Sequence, residues 1–504
     1  QRPKERPAPP IEELVKAQPE GAPLPQPKKV VRVITPIYEA ELGDVGATLL
    51  SWRLTRYRES LEKDSGLIEL VSFEHGFDGP RPLQVAVDPK LDEVLNRATF
   101  QFDQEELVLE RPGETGTIRA VAELRGGYEL VKEFTFFSDS YSMEVNVLLK
   151  DPNGNPLGGK LGLLWPHYLS KKARSRWAGF AGPVVYSSGK FKEIKKLEKF
   201  LSKEIPVQWA GYGMKYFLSA IVPLNKGTGT MELRRQDDSV VIVIAQEADQ
   251  KASAPFRFKL YLGPKDLDLL KREGHDLSKA INFGFFDLIA RPLLYCLKWI
   301  HGYTSNFGIA IIVLTIFIKL IFWPLTHKSY KSMKELQRLQ PRIKQIRERF
   351  KDDKEQMNRE MMLLYRTHKV NPMGGCLPML LQIPVFFALY KTLLGSIELR
   401  QAPFAFWVKD LAAPDYLIRF PQGVSIFGIE GIGPLPLIMG LSMLIQQKLT
   451  PTTMGDPTQA KIMMLMPIFF TFIFISFPSG LVLYWLVNNL LSIVQQVYIN
   501  LRVD

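Results

Sequence analysis

NFGIAIIVLTIFIKLIFWPLT, residues Asn306 to Thr326, is an apolar run long enough to cross a bilayer as a helix, and it carries one charge, Lys319. About 20 apolar residues at ~1.5 Å each span a hydrocarbon core of ~30 Å. An ammonium inside such a run costs roughly 2.5 to 3.5 kcal/mol on insertion scales, so it is expected to face protein or a wet cavity and marks a candidate functional site. The plainer alternative is that its stem snorkels to the near interface, since Lys319 lies about 10 Å before Thr326. Against that, Ile321, Phe322 and Trp323 keep the following turn apolar, and Thr315, one turn earlier on the same face, extends polarity deeper.

Outward from this run the chain divides into two unlike halves. It has 504 residues, 46% of them apolar, and a mean hydropathy of −0.03 that conceals a polar, β-like first part and a second part where long apolar stretches recur. Spans are expected at 306–325, 375–396, 434–450, 462–478 and 480–498, giving five crossings. The last two are joined only by the FPSG turn at Phe477 to Gly480. Residues His327 to Pro372 carry 13 Lys+Arg against 6 Asp+Glu, whereas 397–433 has Arg400, Lys409 and Arg419 against Glu398, Asp410, Asp415 and Glu430. Basic loops stay inside, so 327–372 is read as cytoplasmic and everything before residue 306 as exported. An export anchor is therefore expected upstream of the Pro-rich, charged opening QRPKERPAPPIEELVKAQPEGAPLPQPKK, a tether over 1–29 with too little apolar surface to fold. The net charge of +12 suits anionic lipid, or ribosomal RNA, at the inner face and is no nucleic-acid motif.

Residues 30–263 alternate short β-branched and aromatic runs with Gly, Pro and Asp: VVRVITP, LIELVSF, LQVAVD, ATFQFD, LVLERP, YELVKEFTFF, YSMEVNVLLKD, SVVIVIAQ and FRFKLYLGP. The pattern predicts a large antiparallel sandwich. Helices are expected over 264–303, first at Pro264 to Ile281 and then at Phe285 to Tyr303, where Arg291, Tyr295, Lys298 and Trp299 among apolar residues suit a helix lying along the membrane surface, interrupted at Pro292. Residues 304–504 make the membrane core. Its hairpin, 327–370, sets Leu336, Leu339, Ile343, Ile346 and Phe350 against Met357, Met361 and Leu364 across a KDDKE turn, with Pro341 expected to kink or interrupt the first arm.

Several chemistries are disfavoured. GNPLGGKL, Gly154 to Leu161, misses the phosphate-loop hydroxyl because Leu161 takes its place, and reads as a hairpin turn. His75 and His167 are isolated in sequence from any convincing carboxylate partner and read as surface or core histidines. Cys296 and Cys376 fall on opposite sides of the bilayer, and no metal-ligand spacing occurs, so neither disulfide, metal nor cofactor is expected, and no enzyme. The five spans contain no Asp or Glu for a proton relay, which disfavours an ion-driven transporter. What the spans do contain is a polar stripe. Tyr484, Asn488, Ser492 and Gln495 share one face of the last span, and Gln382, Gln446 and Thr471 are placed to join Thr315 and Lys319 in the same hollow. The alternative use of such amides and hydroxyls is to bond neighbouring helices.

Three stretches carry a resemblance: NPMGGCLPMLLQIPVFFALYKTLLGSIELRQAPFAFWVKDL (Asn371 to Leu411), PTTMGDPTQAKIMMLMP (Pro451 to Pro467) and FPSGLVLYWLVNNLLSIVQQ (Phe477 to Gln496). GPVVYSSGKFKEIKK and WAGYGMKYFLSAIVP extend it more loosely into the first half. The sequence resembles the YidC-type membrane-protein insertases in their Gram-negative form. The resemblance implies a periplasmic β-supersandwich, a five-helix inner-membrane core with a cytoplasmic helical hairpin, and a groove open to the cytoplasm. Lys319 stands where the family has a groove arginine; the charge is kept, and the planar fork that grips a carboxylate at two points is lost. Thr315, Tyr484 and Trp485 fall on positions that line the groove and contact substrate in the family.

The expected function is an insertase and chaperone that works without ATP hydrolysis. Its expected partners are nascent membrane proteins and the lipid bilayer, with the ribosome and the Sec translocon. Two other classes are carried beside it: a small-solute transporter or channel, and an envelope-binding module on a membrane anchor.

Overall fold

In the computed structural model the described residues are 24–72, 79–168, 180–225, 227, 229–236, 239–248, 254–368, 370, 377–421, 424–426, 428–449 and 457–502. Most of the 1–29 tether, His75 and Cys376 lie outside them. The chain separates into two compact units, Gln1–Asn282 and Phe283–Asp504.

The first unit is built from three sheets. A five-stranded sheet has the order Leu67–Ser72, Thr48–Arg58, Tyr38–Gly43, Val30–Ile34, Glu106–Val108. A nine-stranded sheet runs from Lys190–Glu193 through Gly182–Ser187, Trp209–Gly213, Phe217–Pro223, Phe256–Pro264, Ser142–Lys150, Glu129–Phe137 and Thr115–Glu123 to Gln101–Phe102. The third has the order Ile205–Val207, Gly229–Gln236, Ser239–Ala248, Gly159–Tyr168, Val85–Ala86. Among the described strands pairing is antiparallel except where Val30–Ile34 meets Glu106–Val108, and Leu201 makes an isolated parallel bridge to Leu233. Alternation marks strands with one wet face, such as Val30–Ile34, while Ser239–Ala248 is buried along almost its whole length and reads as a continuous apolar run. Trp52 joins the first two sheets: its ring stacks on Tyr38 at 4.1 Å and its indole N–H donates to the Leu262 carbonyl at 2.9 Å.

Lys132 is fully buried in this core. Its ammonium donates to the carbonyls of Gly46 and Leu83, both at 2.7 Å, and of Ala47 at 3.5 Å. GNPLGGKL is the turn between Ser142–Lys150 and Gly159–Tyr168; the Asp151 carboxylate accepts the N–H groups of Asn153 and Asn155, and Lys160 pairs with Glu204. His167 is stacked on Tyr212 at 3.4 Å, and burial pushes its imidazole down to about 4.

Nine helices are described. α1 (Pro89–Arg97) and α2 (Leu267–Glu273) belong to the first unit; the second holds α3 (Asp287–Thr304), α4 (Phe307–Arg349), α5 (Lys354–Thr367), α6 (Leu377–Gly395), α7 (Pro434–Leu449), α8 (Pro457–Phe474) and α9 (Ser479–Arg502). The helix expected from Pro264 to Ile281 is instead α2, capped by Asp266, followed by a short 3-10 turn at Leu277–Ala280, because His275 and Asp276 take left-handed backbone and break the register between them. Neither Pro292 nor Pro341 interrupts its helix: α3 and α4 run through them. A proline removes one N–H bond, and here packing on neighbouring helices holds the rest of the ladder. Asn306 starts α4, its side chain accepting from the N–H groups of Gly308 and Ile309. Past the span, α4 continues unbroken as the first arm of the hairpin, where Leu336, Leu339 and Ile343 bury a seam with Val370, Met361, Leu364 and Tyr365.

Among the described residues two helical segments, Phe307–Arg338 and Ser479–Leu501, are long and apolar enough to cross a membrane, and Met464–Phe474 is a shorter apolar helix. The count of five expected spans thus exceeds what length and composition of the described helices establish.

Candidate functional site

The site grows from the packing of α4 against α9. Lys319 is only 5% exposed, and its ammonium donates to the Ser492 hydroxyl at 2.6 Å. Ser492 in turn donates to the Asn488 carbonyl one turn back at 2.7 Å and is bonded by the Tyr330 side chain. The Asn488 amide oxygen accepts from Gln382 of α6 at 2.9 Å, and Gln382 also meets the hydroxyl of Tyr484. One turn beyond Ser492, the Gln495 amide is fully buried and exchanges hydrogen bonds with Thr326, at 2.8 and 3.1 Å, while reaching the Trp323 carbonyl. Three helices therefore contribute to neighbouring polar groups, one running from Lys319 through Ser492 and Asn488 to Gln382 and Tyr484 and the other pairing Thr326 with Gln495 one turn on, and among the described residues no carboxylate pairs with Lys319. A buried cation without a counter-ion is held up only by dipoles, which leaves it disposed to accept an anionic group.

The other expected residues lie elsewhere. Thr315 is buried on α4 and its hydroxyl returns to the Ile311 carbonyl at 2.6 Å, the ordinary back-bond of a helical threonine. Thr471 bonds the Pro467 carbonyl of its own helix and abuts Gly440 of α7, where a Cβ would fall 2.1 Å from the Thr471 hydroxyl; it serves the close approach of α7 and α8. Gln446 is half-buried on α7, one turn past Ser442. Trp485 belongs to an aromatic cluster: Phe386 of α6 lies edge-on to it at 4.9 Å, and Phe474 and Phe470 of α8 lie at 5.1 and 6.4 Å. Its indole N–H is buried with no acceptor among the described residues. Trp485 and Tyr484, both against Phe386, lie toward the Ser479 end of α9, and Ser492 and Gln495 lie toward its Arg502 end.

Sequence reasoning missed the part played by Thr326, the last residue of the apolar run, by Tyr330, one turn beyond it, and by the α7–α9 bond from Asn489 to Ser442 at 3.1 Å. Polar residues at the ends of spans point to Thr326 and Tyr330, whereas Ser442 and Asn489 lie mid-span and only the identity of the opposing helix singles them out.

A family profile described as the YidC periplasmic domain covers residues 30–296, and a second, described as the 60Kd inner membrane protein, covers 299–504. The membrane protein insertase YidC of Syntrophus aciditrophicus (strain SB) is 41% identical over 482 residues, spanning 93% of this chain and 84% of its own length. The chain belongs to the YidC family. The protein of that name from Pelobacter propionicus (strain DSM 2379 / NBRC 103807 / OttBd1) is likewise 41% identical, over 94% of this chain and 87% of its own. A solved structure described as an active YidC insertase with its first transmembrane domain resolved aligns over 96% of this chain and 95% of its own, at 19% identity and a TM-score of 0.40. As a YidC family member the chain is an inner-membrane protein with a periplasmic domain, a large β-sandwich followed by a helical region.

Proposed function

We propose that the helical unit inserts nascent membrane proteins into the inner membrane, acting also as a chaperone, with α4, α6, α7, α8 and α9 as its five spans and the α4–α5 hairpin in the cytoplasm. The observation that carries the reading is the uncompensated charge of Lys319 among amide and hydroxyl groups of α4, α6 and α9. In this reading the polar set is the floor of a groove open toward the cytoplasm and shut on the far side by the Phe386, Phe474 and Trp485 rings. A short acidic flank of the entering chain exchanges water for Lys319, Ser492, Asn488, Gln382 and Gln495, while Thr315, Tyr484 and the unspent N–H of Trp485 meet its backbone. The apolar segment then leaves along α4 and α9 into lipid. No ATP is needed: hydration part-way through the bilayer shortens the dry distance that a polar flank must cross, and hydrophobic partitioning supplies the drive. Gln446 and Thr471 widen or narrow the α7–α8 wall of the same space. The ribosome and the Sec translocon are the expected suppliers of substrate, and no cofactor is called for.

The test is insertion of a single-span substrate with an acidic or a neutral translocated tail by Lys319→Ala, Lys319→Glu and Lys319→Arg, at equal protein level. A charge-assisted hydrogen bond is worth about 1.5 to 3 kcal/mol, so removing it slows the acidic substrate by about 10- to 150-fold and leaves the neutral one much less affected, with Arg retaining activity. Normal insertion of the acidic-tailed substrate by Lys319→Ala sinks the reading. Deleting residues 30–260 separates it from an envelope-binding role of the sandwich, which predicts that function is lost with that unit.

A further inference from the structure

The second unit carries an apolar feature that the groove does not use. Between α6 and α7 the strands Ile418–Arg419 and Gly431–Ile432 pair antiparallel, with Ile418 directly opposite Ile432. Opposed residues project to the same face, and both isoleucines are exposed, Ile418 by 68%. Leu417 before the first strand, and Val424 and Ile426 toward the tip, are exposed as well. A two-stranded ribbon is marginally stable in water alone, and an apolar one facing solvent is less so.

The base of this hairpin is fixed to the ends of three helices. Asp415 is buried and accepts the N–H of Leu435 at 2.8 Å, in the first turn of α7, and the indole N–H of Trp407 at 3.1 Å. The carbonyls of Ala413 and Leu411 accept the N–H groups of Ser479 and Gly480, where α9 begins. Asn306, the cap of α4, donates to the Phe404 carbonyl, and the Phe404 ring lies so close to Gly308 that a Cβ there would meet it at 2.0 Å. In the same loop Phe406 holds a left-handed backbone, φ 54°, and is 94% exposed. Such a conformation for an aromatic residue, together with that exposure, is unfavourable in water on both counts.

α7 supplies the reason for an apolar hairpin at this place. Its apolar stretch runs from Pro434 to Ile445 and ends at Gln446, Gln447 and Lys448. At ~1.5 Å per residue that is about 18 Å, well short of a hydrocarbon core of ~30 Å. A short span is accommodated by thinning the bilayer or by bringing other apolar surface to its end. Its residues Leu437, Ile438 and Leu441 are exposed, and so is Ile432, two residues before the helix start.

We propose that the Ile418–Ile432 hairpin is an interfacial foot that dips into the outer leaflet and takes phospholipid acyl chains as its partner, extending the apolar height of α7. The proposal rests on the five-span reading above, through the assignment of α7 as a span with its Pro434 end outward. The arrangement gives the lipid contact to a ribbon whose base, at Asp415, is locked to the helices it accompanies.

The test uses the full chain with Cys296→Ser and Cys376→Ser, reconstituted in phosphatidylcholine and phosphatidylglycerol vesicles, with an NBD fluorophore on Ile426→Cys or, separately, on Leu441→Cys. Doxyl-labelled lipids quench from within the bilayer and iodide quenches from water. The expected result is that lipid carrying doxyl high on its chain quenches the Ile426→Cys probe, deeper doxyl quenches the Leu441→Cys probe, and iodide reaches neither. Quenching of the Ile426→Cys probe by iodide alone, with Leu441→Cys still in lipid, overturns the foot and leaves the span reading intact. A Leu441→Cys probe that senses no lipid overturns the span reading and the foot with it. Protection of the Ile426→Cys probe from both quenchers, the mark of a second copy seated on the hairpin, also overturns the proposal. Val424→Cys repeats the measurement should Ile426→Cys misfold.

Discussion

Replacing Lys132 by methionine tests whether the buried ammonium of the sandwich sets the pH dependence of its stability. The side chain is fully buried, and loss of hydration pushes its amine down from 10.5 to about 7. Between those two values the unfolded chain holds a proton that the folded chain releases, so stability rises with pH through that window. Below about 7 both states are charged and the contribution is constant. At ~1.36 kcal/mol for each tenfold change in the proton equilibrium, the full effect is at most roughly 5 kcal/mol. The carbonyls of Gly46, Leu83 and Ala47 favour the charged form and oppose the displacement, so a rise of about 2 to 4 kcal/mol is the expected outcome. Lys132→Met fills a similar volume and removes the titration, at the cost of leaving two or more carbonyls unbonded, about 1 to 3 kcal/mol each. The assay is urea unfolding of the full chain in micelles, near neutral pH and near pH 10, followed by circular dichroism of the β-sheet signal. The variant is less stable near neutral pH and has lost the rise with pH. A rise in Lys132→Met equal to that of the parent protein refutes the reasoning, because the slope then belongs to other groups.

Two further outcomes concern the contact between α7 and α9 and the buried imidazole of the sandwich. The Asn489 to Ser442 bond joins α9 to α7, and a double-mutant cycle of Asn489→Leu and Ser442→Ala in bicelles is expected to show a coupling of about 0.6 kcal/mol and no more than about 1.7; strict additivity contradicts a real bond. His167, pushed down from 6.5 to about 4 by burial against Tyr212, costs stability as pH falls through that interval, because the unfolded imidazole takes up its proton first. His167→Phe keeps the stack and removes this part of the acid loss, read as a shallower decline in melting temperature between those pH values; an unchanged decline counts against the assignment.

Much of the helical unit was legible because apolar length and charge are strong signals. Asn306 opens the apolar run and is the cap of α4, and the hairpin seam of Leu336, Leu339 and Ile343 has the 3-4 spacing that predicts it. The face shared by Tyr484, Asn488, Ser492 and Gln495 follows from helical period, and all four residues meet side chains of α4 or α6 as a consequence. What periodicity does not encode is which helix stands opposite. Thr471 was grouped with Lys319 on polarity alone, yet it faces Gly440, a contact set by interhelical approach. The sandwich was readable as a class, whereas the parallel pairing of Val30–Ile34 with Glu106–Val108 joins segments far apart in the chain and leaves no local trace. The interruptions expected at Pro292 and Pro341 are absent for a related reason: a proline weakens a helix locally, and tertiary packing keeps the helix continuous through it.

α4 has a mechanical consequence. One helix of 43 residues carries both Lys319 and the hairpin arm that ends at Arg349. At ~1.5 Å per residue those two points are about 45 Å apart along a single rod, so a tilt of roughly 5° about the lysine swings the far tip by about 4 Å. The rod has two soft joints, Pro324 and Pro341, each lacking one rung of its ladder. A load applied at the Arg349 end is therefore delivered as torque to the turn beside the buried amine, with Pro324 as the nearer place where that torque can leak away.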